Sequence, residues 1–268
     1  MCLIMVFISN AQDEITTKSL VLPNGWALSP AGKSLPLGDL PLNMAVSNSK
    51  KWMAVTNNGQ STQTIQLIDL RTDKVQDNIK IDKSWLGLAF SKDEKYLYAS
   101  GGNDNWILQY AINNGKLILQ DSIKLGDKWP TKISPAGICI NDNTLFVVTK
   151  DDNALYTINL DTKKVVSKTK LPAEAYTCVV SENKKELYIS VWGAKKLVVY
   201  NIASNKITDQ IEVGSHPNDI CLNKKGTYLF VANSDDNSVS VINTKTKKVI
   251  ETLDAALYPN APSGSTTN

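Results

Sequence analysis

The chain has a single histidine, His216, in the run Ser215-His216-Pro217-Asn218-Asp219. Imidazole titrates near neutral pH, so a histidine beside a hydroxyl and a carboxylate raises the prospect of general-base chemistry. The other parts of such a machine are missing. No Gly-x-Ser-x-Gly elbow and no Gly-x4-Gly-Lys-Ser/Thr phosphate loop occurs. Cys2, Cys139, Cys178 and Cys221 show no Cys-x2-Cys spacing, and the last three lie in apolar alternating segments, where small buried side chains are expected. The acidic pairs Asp151-Asp152 and Asp235-Asp236 fall in Asp-Asp-Asn turns read as outer hairpins, whereas carboxylates doing acid–base work must face each other across a substrate. No catalytic residue, metal or cofactor is therefore assigned.

Recognition chemistry is better represented. Asn43, Trp85, Trp129, Tyr176, Trp192, His216, Asn218, Asp219 and Asn233 are candidate ligand-binding residues, and Asp39, Asn57 and Lys150 occupy related places. Aromatic rings stack on flat faces while amides and carboxylates hydrogen-bond, a mixture that suits a small molecule, a glycan or a peptide. Each has a structural alternative. The tryptophans could fill wedges between packed elements, Asp219 could tie its own loop by accepting backbone N–H bonds, and His216 could be a solvated turn residue.

Those residues recur at related places because the sequence repeats. "LFVVTKDDNALYTINLDTKKVV" from Leu145, "LYISVWGAKKLVVYNIASNKI" from Leu187 and "LFVANSDDNSVSVINTKTKKVI" from Leu229 start 42 residues apart. Looser copies begin at Leu97 and Met53, and each copy follows a further apolar stretch such as "GICIN" or "DICLN". Segments such as "SVSVINT" alternate with period two, which excludes a helical solenoid. Four short strands in a unit of 40–45 residues define a β-propeller blade, and five units are counted. A four-stranded sheet has two apolar faces that it cannot cover alone, so blades must pack on one another. The Asp/Asn turns suit tight hairpins, which need left-handed residues.

Composition narrows the function classes. The 42% apolar content supplies a core, and 29 basic against 26 acidic residues give a net charge of only +3. That is too weak for a nucleic-acid footprint, and no basic run is interleaved with aromatics. The apolar run Cys2–Ile8 is too short to span a bilayer. Followed by Ser9-Asn10-Ala11, it reads as a signal-peptide remnant cleaved after Ala11, which predicts a periplasmic or secreted protein.

The unit "HPNDICLNKKGTYLFVANSDDNSVSVINTKTKKVIETL" resembles the YVTN-repeat family of bacterial β-propellers. The resemblance implies an entry loop containing proline, an inner strand, a YVTN-like strand and a Thr-x-Lys-Val hairpin. It covers residues 35–253 and implies an all-β fold of about five blades, an incomplete version of a seven-bladed ring. "LPNGWALSPAGKSLPLGDLPLN" (22–43) is similar to the opening of exported propellers that precede an alkaline-phosphatase-like phosphoesterase domain. The resemblance thus implies a non-catalytic binding or scaffold module, a fragment of a larger protein, with that phosphoesterase domain as a possible partner. A lactonase-like hydrolase of the seven-bladed type is the alternative.

The expected organisation is a signal remnant at 1–11, a segment at 12–34 with closing-blade strands, propeller blades at 35–253, and the entry loop of a truncated further blade at 254–268. Aligning "GKSLPLGDLPLNMAV" with "NKITDQIEVGSHPNDICL" predicts an outer strand at Lys33–Leu37.

Overall fold

The computed structural model describes residues 20–21, 24–28, 33–256 and 262. It divides into two compact units, Met1–Pro36 and Leu37–Asn268. In the first, β1 (Leu20–Val21) pairs antiparallel with β2 (Ala27–Leu28). The signal-peptide reading at 1–11 lies outside the described residues, as does most of the predicted entry loop at 254–268. The strand expected at Lys33–Leu37 does not form, since residues 33–38 carry no strand. A strand needs a neighbour to bond to: among the described residues no strand pairs with 33–38, whereas Asp209–Glu212 in the aligned "DQIEV" bond to Lys196–Val199.

The second unit consists of five four-stranded antiparallel sheets, each built from consecutive strands. Blade 1 is β3 (Pro41–Val46), β4 (Trp52–Asn57), β5 (Thr64–Asp69) and β6 (Lys74–Lys80). Blade 2 is β7 (Leu88–Phe90), β8 (Tyr96–Ser100), β9 (Trp106–Asn113) and β10 (Lys116–Lys124). Blade 3 is β11 (Pro135–Asn141), β12 (Thr144–Thr149), β13 (Ala154–Asn159) and β14 (Lys164–Lys170). Blade 4 is β15 (Cys178–Val180), β16 (Glu186–Val191), β17 (Lys196–Asn201) and β18 (Lys206–Glu212). Blade 5 is β19 (Pro217–Leu222), β20 (Tyr228–Asn233), β21 (Ser238–Asn243) and β22 (Lys248–Asp254). The five-bladed propeller read from the repeat is the fold observed.

Period-two alternation sends successive side chains to opposite neighbours. On β12, Leu145 and Val147 pack with Tyr98 and Ile107 of blade 2, while Phe146 and Val148 pack with Leu187 and Ile189 of blade 4. The same rule gives four cores, one each between blades 1 and 2, 2 and 3, 3 and 4, and 4 and 5. Among the described residues no core cluster joins blade 5 to blade 1. On blade 5 the forward-facing Phe230, Ala232 and Val239, counterparts of the fully buried Phe146, Val148 and Leu155, are only half-buried.

The hairpins between third and fourth strands show why the turn sequence repeats. Asp73, Lys163, Asn205 and Lys247 all take left-handed φ values between 52° and 56°. Ahead of them an Asp or Asn side chain accepts backbone N–H groups two or three residues on: Asp69 from Arg71, Asn159 from Thr162, Asn201 from Ser204, and Asn243 from Lys245 and Thr246. This is the Asx-turn that makes these residues favourable there.

In blade 1 the turn carries charge as well. The Arg71 guanidinium donates to both oxygens of Asp69, at 3.2 and 2.9 Å. That side-chain bond, then the Arg71 backbone N–H, holds the Asp69 carboxyl down at about 2 against an ordinary 3.8. A depressed carboxylate favours the folded state above its unfolded value, and the contribution is lost as pH falls from 3.8 toward about 2. Arg71→Met should therefore move the Asp69 titration, followed by carboxyl-carbon NMR, back up toward the ordinary value. An unchanged midpoint would show that Arg71 does not set it.

Candidate functional site

Entry loops and second-to-third-strand hairpins meet on one face, tied by repeated backbone bonds. Gly59 N donates to Asp39 O in blade 1, Lys150 N to Ser134 O in blade 3, Gly193 N to Glu174 O in blade 4, and Ser234 N to His216 O in blade 5. The loops are also stitched blade to blade. Asn43 Nδ2 donates to Leu86 O at 2.5 Å, and Gly137 N donates to Tyr176 O at 2.9 Å.

This face holds a cavity of about 260 Å³ lined by Trp85, Ala136, Lys150, Glu174, Ala175, Tyr176 and Trp192. Trp85 comes from the entry to blade 2, Tyr176 from the entry to blade 4, and Trp192 from the 3₁₀ turn Trp192–Ala194 that follows β16. A second cavity of about 360 Å³ shares Trp85 and Lys150 and adds the polar Gln63, Ser84, Asn103, Ser134 and Asp151. Lys150 Nζ lies 6.0 Å from the Trp85 ring centroid, the outer limit of a cation–π contact. Burial first, then the Asp219 carboxylate, push the Tyr176 phenol above its ordinary 10, so it keeps its proton at neutral pH and can donate.

The structure therefore brings together Trp85, Tyr176 and Trp192 from the sequence-derived set, with Lys150 at the junction. His216 adjoins them: its ring stacks on Trp192 at 4.1 Å between centroids, tilted by 55°. It is not the bare solvated turn residue considered above. His216 Nδ1 lies 2.5 Å from Asp235 Oδ2 and 3.1 Å from Ser215 Oγ. Both contacts use the same nitrogen, whereas a Ser–His–Asp relay needs the hydroxyl and the carboxylate on opposite sides of the ring.

Other candidates have local duties. Asn233 is fully buried, and its amide donates to Ser238 Oγ and Ser240 Oγ at 3.0 and 2.9 Å. Asn57 does the same in blade 1 toward Thr64 and Gln66. Both knit the end of the second strand to the third. Asn218 is buried and accepts the Asp219 N–H, while Asp219 is exposed and accepts the Ile220 N–H. Trp129 is 60% exposed, with the Lys132 ammonium 5.4 Å from its ring, and lines neither cavity.

Two sequence expectations need correction. Asp151 does not stand on a hairpin remote from any cleft, because the hairpin turns in toward the entry loop; it lines the larger cavity and accepts from Ser134 Oγ at 2.5 Å. Cys221 is exposed rather than buried, because it faces forward from blade 5. Sequence reasoning missed Glu174, Ser134 and the Asp235 partner of His216. The signal for the last was present, since Asp235 occupies in blade 5 the place that Asp151 holds in blade 3.

Among the described residues no group of three or more His, Cys, Asp or Glu side chains could hold a metal ion, and no helix is long and apolar enough to cross a membrane. The arrangement offers two indole faces, a neutral phenol, one ammonium and one carboxylate around a small hollow. Such a set can stack and hydrogen-bond.

Comparison with known proteins agrees with the fold. None of the curated proteins compared matches the chain. Among solved structures, hydrazine synthase from Kuenenia stuttgartiensis superposes with a TM-score of 0.65 at 18% identity, covering 81% of this chain and 67% of that one. A functionally unknown protein from Desulfotomaculum acetoxidans DSM 771 superposes with a TM-score of 0.68 at 15% identity, covering 87% and 76% respectively. At these identities the likeness is one of fold. The model of the YNCE-like beta-propeller family matches residues 2–262. With five antiparallel blades cut from one repeat, the chain belongs to the YNCE-like beta-propellers.

Proposed function

We propose that this chain is a non-catalytic binding or scaffold module acting outside the cytoplasm, and that it takes a glycan, a peptide or a similar small molecule in the cleft bounded by Trp85, Tyr176 and Trp192. The observation that carries this reading is the convergence of three aromatic side chains from blades 2 and 4 on one cavity of about 260 Å³, with Lys150 and Glu174 at its wall. Flat apolar surfaces flanked by a few polar groups are how proteins hold sugars and peptides. The scaffold half draws support from the half-buried apolar side chains on the forward face of blade 5. The export half draws support from the apolar start of the chain followed by Ser9-Asn10-Ala11. A phosphoesterase partner rests on the similarity of residues 22–43 to the openings of such proteins. Against hydrolysis stands the geometry of His216, whose polar contacts both use Nδ1.

The test is a screen of the purified chain against oligosaccharide and peptide arrays, with tryptophan fluorescence as a second readout. Trp192→Ala should weaken a captured probe by about thirtyfold, as loss of a buried aromatic anchor does. Trp129→Ala, outside both cavities, should leave it unchanged. Equal losses in the two variants, or turnover of the probe, would overturn the reading.

A further inference from the structure

We propose that Cys139 and Cys178 form a reversible disulfide across the interface between blades 3 and 4. Strand register puts them face to face. Cys139 on β11 pairs with Phe146, a forward-facing position, and Cys178 on β15 pairs with Ile189, a position that looks back toward blade 3. Both therefore enter the same core, with Leu187, Ile189 and Phe146 around them. Their Sγ atoms are 3.3 Å apart, in van der Waals contact, and an approach of about 1.3 Å brings them to bonding distance. Cys221 cannot join them. It pairs with Phe230 and so takes the same forward position as Cys139, but on blade 5, where it is exposed.

Access is one-sided. Cys178 is buried and Cys139 half-buried, so Cys139 is the more reachable residue of the pair. The oxidant is a small-molecule disulfide. The Cys139 thiol loses its proton and the thiolate attacks one sulfur; the oxidant's S–S bond breaks and one small thiolate leaves to be protonated. Cys178, deprotonated in turn, attacks Cys139 Sγ of the mixed disulfide and expels the second small thiolate, which takes up that proton. Two protein thiols are oxidised and one small disulfide is reduced to two thiols. Burial first, then the neighbouring Cys178 thiol, push the Cys139 thiol well above its ordinary value, so the reaction is best run at mildly alkaline pH.

The product joins residues 39 apart in sequence that belong to different blades. Pinning two sheets that otherwise adhere through packed side chains and a few hydrogen bonds raises the melting temperature by roughly 5–10 °C, given the usual gain from a loop of this length. The full-length chain would be treated with oxidised glutathione, quenched by alkylation in denaturant, and digested without reduction for mass spectrometry. The expected result is a peptide pair linking Cys139 to Cys178, two hydrogens lighter than its parts, with Cys221 recovered alkylated and the melting temperature raised. Cys221→Ser, at an exposed position, should give the same linked pair. Recovery of Cys139 and Cys178 as separate alkylated or glutathione-bearing peptides overturns the proposal, as does loss of the linked pair in Cys221→Ser.

Discussion

Phe146→Ala is expected to lower the free energy of unfolding by about 3–5 kcal/mol, the range for truncating a fully enclosed phenylalanine. The ring has no exposed surface and lies in the core between blades 3 and 4, against Leu187 and Ile189. Neighbours on two different sheets cannot close over the hole without sliding one blade along the other, so relaxation is limited. Phe230→Ala is the matched control. It deletes the same ring from the same repeat position on blade 5, where the side chain is only half-buried, and should cost about 1–2 kcal/mol because less area is re-exposed. Urea denaturation followed by tryptophan fluorescence measures both. Equal costs would mean that packing between blades is not what holds Phe146.

Gly137→Ala should destabilise by about 1–3 kcal/mol through overpacking, although the substitution adds only a methyl group. A Cβ at this position would fall 2.5 Å from Thr177 Cα and 2.6 Å from Thr177 Oγ1. The nearest atom is backbone, so no side-chain rotation relieves the clash, and β11 must move away from the entry to blade 4. That movement breaks the bond from Gly137 N to Tyr176 O. It also displaces Ala136 and Tyr176, both of which line the smaller cavity, so probe affinity should fall together with stability. A variant with wild-type melting temperature and wild-type binding would show that the inner strands are not in backbone contact there.

The sequence carries those features of this molecule that are local. Left-handed turns at Asp73, Lys163, Asn205 and Lys247, and the Asx acceptors ahead of them, follow from Asp, Asn and Lys at fixed offsets in each unit. The five-blade count follows from the same repeat. What depends on one blade meeting another is harder to see. Trp85 and Trp192 are 107 residues apart and line one hollow only because the entry to blade 2 and the 3₁₀ turn of blade 4 meet over blade 3. Asn233 has the residue type of a ligand contact, yet the hydroxyls of Ser238 and Ser240 claim its amide. The Cys139–Cys178 contact was within reach: their strand partners belong to opposite faces, which follows from period two once register is fixed. The failed strand at Lys33–Leu37 has the converse lesson, since alignment to a repeat copies a strand without the neighbour it must bond to.

Among the described residues blade 3 is clamped by two cores and blade 5 by one, and this difference should be visible in the lifetimes of amide protons. The ladders of β12–β13 and β20–β21 have nearly the same register, so hydrogen-bond pattern alone gives them the same protection. Detaching blade 5 breaks one interface, while releasing blade 3 breaks two, so the array opens like a stack of cards from its loose side. In deuterium oxide, β20 and β21 should exchange well before β12 and β13, and the protein should lose its order one sheet at a time rather than all at once.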